Sequence, residues 1–219
     1  MVLSVFLYAV IPLSAQDEYS SSLTGGNFDP GDLLVEVTGT PFQGSSLMDF
    51  GSLRLRYGVT QTLVPRLGIS MDLNNTQTTP DVVTNLSKFE LRPGLEYHLG
   101  INDAFRSYAF VDVILGSRSA SRESTTGSSV DGSTQVPTSA NYNFSSAYRG
   151  YFRYGAALGF GADYHFSSRF YIGAEIGFQL YQDKMSEISV DKEKFQDSVT
   201  SSYGNMSTQN SIRIGFKLF

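Results

Sequence analysis

The 219-residue chain has a net charge of −5, a sequence pI near 5.0 and no cysteine. These values exclude a disulfide framework and a thiolate metal site, and they argue against a surface that binds nucleic acid or anionic lipid. Tyr, Phe and Gly are abundant, at 13, 16 and 21 residues, a composition that suits an all-β chain with exposed aromatic side chains.

The first segment of the chain is apolar. Residues 1–15 read MVLSVFLYAVIPLSA and are followed by the polar stretch QDEYSSS. The run is too short to cross a bilayer as a helix and has the length of a signal-peptide core, so we predict a signal peptide cleaved after Ala15. No Lys or Arg precedes the run, so its charged start is expected to lie before Met1; the alternative is a buried first strand. Residues 16–30 are then a periplasmic segment and 31–219 one domain.

Apolar and polar residues alternate with a period of two in eight later segments, which predicts eight strands. The segments are 32–40, 52–60, 64–73, 88–99, 106–116, 151–166, 170–181 and 210–219. Each is about as long as the roughly 9–11 residues that a tilted membrane strand needs. The phase of 106–116 is the hardest to assign, because Phe110 and Ile114 lie on its otherwise polar face.

The links between these segments alternate in length. Short links fall at 60–63, 100–105 and 167–169, and long links at 41–51, 74–87, 117–150 and 182–209. This alternation predicts a closed up-and-down antiparallel transmembrane β-barrel of eight strands, with short periplasmic turns and long extracellular loops. Both termini are then periplasmic. The Ser/Thr/Gly-rich link 117–150 is predicted to be mobile, and 183–197 to be a solvated loop, with room for a helical turn.

The two faces of the strands differ in charge. The apolar face carries essentially none, whereas the polar face carries both signs, as a closed lumen requires if each buried charge is to find a partner. A lipocalin-like soluble barrel is the alternative, with its apolar face inside. We predict a polar lumen network of Glu36, Arg54, Arg56, Arg66, Asp72, Lys88, Glu90, Arg92, Glu96, Asp112, Arg153, Asp163, Glu175, Arg213 and Lys217.

Aromatic residues cluster at the strand ends, where the interfacial girdles of a membrane barrel lie. The expected girdle residues are Tyr57, Tyr97, Tyr164, Phe166 and Phe170 beside short turns, and Phe89, Phe152 and Tyr154 toward long loops. The alternative interpretation is that they form the core of a soluble sandwich. Glycines on the polar face, such as Gly155 and Gly173, are predicted to leave room for long arginine side chains.

The chain resembles the small eight-stranded outer-membrane barrels of the OmpA transmembrane-domain and OmpX kind, and generic outer-membrane β-barrel proteins. The resemblance covers 31–219 and rests on LRLRYGVTQTLVPRLGIS, on YGAALGFGADYHFSSRFYIGAEIGF and on the final Phe219. A terminal aromatic resembles the signal read by the barrel-assembly machinery, which the resemblance therefore implies as a partner. Here Ile212, Ile214, Phe216 and Leu218 are one residue out of phase with Phe219.

No motif for catalysis, a metal or a cofactor is present. The two histidines, His98 and His165, both lie beside short turns and are expected to be hydrogen-bonded lumen residues. There is no phosphate-binding loop and no His-x-x-x-His spacing. We predict a non-enzymatic barrel of the bacterial outer membrane, surrounded by lipid, with no cofactor and no nucleic-acid partner.

Its role is expected to be structural, in envelope integrity, or in surface interaction through its long loops, with room for a protein partner there or in the membrane. The alternatives are an accessory subunit of a larger assembly, secretion or uptake complex, a narrow pore, and an enzyme acting on lipid or peptide.

Overall fold

The computed structural model describes residues 29–41, 48–101, 104–136, 146–207 and 212–218. The predicted signal peptide, nearly all of the predicted periplasmic segment and Phe219 lie outside these residues. No helix in the described part of the chain is long and apolar enough to cross a membrane.

Twelve strands and one short 3₁₀ helix (Ser146–Tyr148) make up the described structure. The strands are β1 Leu33–Pro41, β2 Met48–Tyr57, β3 Leu63–Thr79, β4 Val82–Ile101, β5 Phe105–Ser124, β6 Val130–Asp131, β7 Tyr151–His165, β8 Phe170–Met185, β9 Ile188–Val190, β10 Glu193–Gln196, β11 Thr200–Ser207 and β12 Ile212–Lys217.

Eight of these strands close a barrel. Antiparallel ladders join β1 to β2, β2 to β3, β3 to β4, β4 to β5, β5 to β7, β7 to β8 and β8 to β12, and β12 pairs back onto β1. Strand β11 pairs with the part of β8 that lies farther from the short turns, on the same edge of β8 as β12. The predicted fold, a closed up-and-down barrel of eight strands, is confirmed.

The alternation predicted from the sequence is the alternation of burial in the structure. On β5, Tyr108 and Ile114 are fully buried, whereas Val111 and Val113 are about half exposed. The predicted phase of 106–116 is therefore correct. Inward positions of the barrel form a filled interior, and outward positions form an exposed apolar surface.

The strands are longer than the sequence pattern indicates, which corrects two of the predicted long links. Residues 74–87 are not a loop: β3 and β4 continue as a paired hairpin that turns at Pro80 and Asp81. Residues 182–209 contain the end of β8, the β9–β10 hairpin and β11. Above the apolar belt both strand faces meet water, so the apolar–polar alternation stops while backbone pairing continues.

The other two loop predictions are also wrong for the residues that are described. Within 117–150, residues 117–124 extend β5, and Val130 and Ser133 are buried. Within 183–197 lies a β-hairpin whose Ile188 is buried, with no helical turn among the described residues. We call the assembly of 117–136, 146–150 and 182–199 the cap. It holds together because β6 pairs with both β5 and β9.

Candidate functional site

The barrel interior near the short turns is filled by a network of ion pairs, which we call the core network. Its members are Glu36, Arg54, Arg56, Arg66, Glu96, Asp112, Asp163, Glu175 and Arg213. Neighbouring strands supply them because each lies at an inward position. All nine belong to the predicted lumen set.

Arg56 lies at the centre of the core network, and its side chain is fully buried. Its Nη1 donates to Glu36 Oε1 and to Asp163 Oδ2, both at 2.8 Å. Its Nε donates to Glu96 Oε2 at 3.0 Å. One guanidinium thus joins β2 to β1, β7 and β4, so it fixes strands that lie on different sides of the barrel.

Two more arginines complete this arrangement. Arg66 donates two parallel hydrogen bonds, of 2.7 and 2.6 Å, to the carboxylate of Asp112. This bidentate geometry gives strong, directional ion pairs. It also donates to Glu175 Oε1 at 2.6 Å. Arg213 donates to Asp163 Oδ1 at 2.6 Å. The carboxylates therefore bridge arginines, and the network is continuous across the lumen.

Two buried tyrosines belong to the same network, and the sequence analysis missed them. Tyr108 donates its phenolic hydrogen to Glu175 Oε1 at 2.8 Å, and Tyr171 donates to Glu36 Oε1 at 2.6 Å. Both sit in the inward phase of their strands, next to predicted lumen residues, and that phase was the signal that could have identified them.

The glycine prediction needs a correction. A Cβ at Gly161 would lie 2.3 Å from the ring of Tyr108, and a Cβ at Gly215 would lie 2.0 Å from the ring of Tyr171. These glycines make room for aromatic rings rather than arginines. Gly173 fits the original expectation in part, because a Cβ there would lie 2.5 Å from Arg213 Nη2.

A second cluster lies farther from the short turns. It contains Lys88, Glu90, Arg92 and Arg153 from the predicted set, together with Asp183, which was missed. Arg153 holds Asp183 through bonds of 2.7 and 2.8 Å. Asp183 continues the inward alternation of β8 past residue 181, where the sequence analysis ended the strand.

The remaining predicted residues are Lys217, Asp72 and the two histidines. Lys217 pairs with Asp32 at 2.5 Å at the rim near the short turns. Asp72 is exposed and lies outside both clusters. His98 is buried, with its Nε2 3.3 Å from Glu96 Oε2, and the His165 ring packs on Tyr171 with centroids 4.9 Å apart.

The lumen is filled by side chains over the height of the core network. No group of His, Asp or Glu among the described residues could hold a metal ion. The carboxylates of the core network are all engaged by arginines in ion pairs. An eight-stranded barrel is just wide enough for its own side chains, and here bulky charged and aromatic groups occupy that width.

The outside of the barrel has the opposite polarity. Phe160 is 61% exposed, whereas the Arg56 side chain inside is 0% exposed. All eight predicted girdle aromatics that flank the belt are exposed: Tyr57, Phe89, Tyr97, Phe152, Tyr154, Tyr164, Phe166 and Phe170. A water-soluble barrel would expose its charges and bury its apolar face, and only a hydrocarbon surround makes this inversion stable. The protein is built as a membrane-spanning barrel. The soluble alternatives are therefore excluded.

No family model matches the sequence, and no curated protein matches it. Among solved structures, Ail, the attachment invasion locus protein of Yersinia pestis, is 11% identical with a TM-score of 0.40, covering 85% of this chain and 97% of that one. The N-terminal β-barrel domain of Pseudomonas aeruginosa OprF is 14% identical with a TM-score of 0.38, covering 89% and 99%. The membrane assignment rests on the polarity of the inner and outer faces of the barrel itself.

Proposed function

We propose that this protein is a non-enzymatic integral protein of the bacterial outer membrane whose sealed barrel anchors a folded cap at the cell surface. The observation that carries the proposal is the contrast between a lumen filled by ion pairs and strands that continue well beyond the apolar belt. Strands β4 and β5 have 20 residues each, about twice what a bilayer requires. The excess length builds structure outside the membrane.

The cap supports a role in surface interaction because it has a defined shape. Arg149 is buried and donates to the carbonyls of Ser186 and Asp197 at 2.8 and 2.6 Å, and Arg118 donates to the carbonyl of Arg149 at 2.8 Å. These bonds join two long connections that are far apart in sequence. A partner would therefore meet a pre-formed surface, which lowers the ordering cost of binding.

The proposed orientation places the short turns in the periplasm and the cap outside. Bacterial barrels of this type have short periplasmic turns and long extracellular loops, and here the long strand extensions and the cap all lie at the end opposite the turns at 58–62 and 166–169. Protease treatment of intact cells tests the orientation. We expect cleavage within 125–150 or 186–199 while the turns at 58–62 and 166–169 are spared. Cleavage at those turns alone would show that the orientation is the opposite of the one proposed.

The narrow-pore alternative is disfavoured by the core network, since Arg56, Arg66 and Tyr108 fill the cross-section. Planar-bilayer recordings of the purified protein should show no stable open state. As a matched positive control, R56A/R66A removes the two central side chains and should introduce conductance wherever the variant still inserts. Regular, large conductance from the wild-type protein would overturn the sealed-anchor proposal.

A further inference from the structure

One junction of the barrel wall is much shorter than its neighbours. The ladder between β2 and β3 joins only residues 53–56 to residues 66–69. Strand β3 then continues for ten more residues, paired with β4, while no ladder partner on its other edge is described. Above Leu53 and Ile69, the wall of the barrel is therefore open between β2 and β3.

Cavities lie on both sides of this opening. Inside the barrel, a polar cavity of about 150 Å³ is lined by Ser52, Arg54, Gly68, Ile69, Ser70, Lys88, Glu90 and Arg92. Outside, a shallower apolar cavity is lined by Val37, Gly51, Ser52, Leu53, Ile69 and Met71. Ser52 and Ile69 line both. The two cavities thus lie on either side of the opening, and we call the opening together with these two cavities the passage.

The passage changes character along its length. Its outer end is apolar, and Met71 and Leu73 beside it are 63% and 69% exposed, among the most exposed apolar side chains described. The charged lining of its inner end consists of three cations, Arg54, Lys88 and Arg92, and one carboxylate, Glu90. The Lys88 and Arg92 side chains are 36% and 25% exposed, so they are reachable from the cavity.

The opening lies at the upper edge of the apolar belt. In the β3–β4 ladder, Met71 pairs with Phe89, a girdle residue, whereas Leu73 pairs with Ser87, which lies above the girdle. The unpaired edge of β3 begins at this level. Backbone groups without hydrogen-bond partners are costly in hydrocarbon, so an edge here favours an occupant that brings polar groups to it.

We propose that this opening is a lateral binding site for an outer-leaflet lipid with an anionic, phosphate-bearing headgroup. The headgroup enters between β2 and β3 and lies among Arg54, Lys88 and Arg92, while its acyl chains stay outside against Leu53, Ile69 and Met71. The apolar outer end and the cationic inner end match the two halves of such a molecule. This inference rests on the proposed membrane location and adds a ligand class to it.

Native mass spectrometry of the full chain, released from bilayers of phosphatidylcholine and phosphatidylglycerol in equal parts, tests the proposal. The wild-type protein should retain phosphatidylglycerol in preference to phosphatidylcholine. The variant K88Q/R92Q should lose that preference by about tenfold, since charge-assisted hydrogen bonds to the headgroup disappear. Equal retention of the two lipids by the wild-type protein would overturn the proposal.

A matched control has the same charge change away from the opening. Lys184 and Lys192 are exposed on the cap side of the molecule, and K184Q/K192Q should retain phosphatidylglycerol as the wild type does. An equal loss in this variant would reduce the effect to general surface attraction and contradict the site. Inorganic phosphate, added to protein in pure phosphatidylcholine, should not bind detectably; strong binding would instead indicate a site for a soluble anion.

Closing the opening tests the lateral route. The chain has no cysteine, so S52C/S70C places the only two thiols where the β2–β3 ladder would next continue. Bridging them with a short cleavable bifunctional reagent should abolish selective lipid retention, and cleaving the bridge should restore it. Unchanged retention after bridging would overturn lateral entry. The wild-type barrel could insert and show the expected surface cleavage and yet retain the two lipids equally. That result would refute this inference alone and leave the proposed function intact.

Discussion

The lumen and the cap both bury arginines but satisfy their hydrogen-bond donors differently. In the lumen, Arg56 and Arg213 meet carboxylates from other strands. In the cap, Arg149 and Arg118 donate to backbone carbonyls, and Arg122 donates to the carbonyl of Ser128 at 2.6 Å. Burial lowers the pKa of Arg149 below the ordinary arginine value.

The difference follows from what each region leaves unsatisfied. Regular strands use up their backbone groups in the ladders, so only side-chain charge remains to pair inside the barrel. The irregular connections of the cap leave carbonyls without ladder partners, and a guanidinium with five donors can satisfy two of them at once. The lumen is thus held by charge complementarity between distant strands, and the cap by side chains that bind backbone.

The largest expected effect is in the lumen. R56M leaves the buried carboxylates of Glu36, Glu96 and Asp163 without their central cation, which should cost about 3–5 kcal/mol of unfolding free energy. Urea unfolding of the protein in phospholipid vesicles measures it. The control R92M, at a partly exposed position of the second cluster, should cost about 1 kcal/mol or less. Similar losses in both variants would show that the core network is no more important than a peripheral ion pair.

The Arg66–Asp112 pair tests whether charge complementarity itself holds the lumen. In a double-mutant cycle of R66M and D112L, we expect the pair to show a coupling free energy of about 1–3 kcal/mol. The double variant should then be more stable than the sum of the single losses predicts. Additive losses would mean that packing, rather than pairing, accounts for the effect of each side chain.

A smaller, local effect is expected in the cap. R149A removes the donor of two hydrogen bonds to carbonyls. The free energy of opening the cap should therefore fall by about 1–3 kcal/mol, and protease cleavage within 186–199 should become faster. Because the barrel ladders are untouched, global unfolding in urea should not shift. R169A, on an exposed short turn, is the control and should change neither quantity. A shift in global unfolding for R149A would show that cap and barrel unfold as one unit.

The smallest effect is expected at the exposed edge of the cap. Lys194 bridges Glu187 and Asp197 at 3.0 and 2.5 Å, but all three side chains are well exposed. Exposed ion pairs are weak because water screens them. K194Q should therefore leave cleavage rates and unfolding unchanged within error. A clear increase in cap cleavage would show that surface charge also contributes to its stability.

Much of the lumen could be predicted from alternation, and particular residues show where that method stops. Glu36, Arg56 and Asp163 were identifiable because each is a charge in an otherwise apolar–polar repeat. Tyr108 and Tyr171 have the same phase but were passed over, because an aromatic residue in a polar phase gives no charge signal. Asp72 has the right phase yet lies exposed, since phase alone does not say how high on the strand the lumen ends.

Alternation along each strand and the unequal links were enough to establish the barrel, its eight strands and which face meets lipid, because a period of two assigns every residue to one of two sides. Three features depend on contacts between segments far apart in the chain: which carboxylate meets which arginine, the packing of the cap, and the opening between β2 and β3. Strand register and the stagger around the barrel set those contacts. A local pattern contains neither, so only the folded chain decides them.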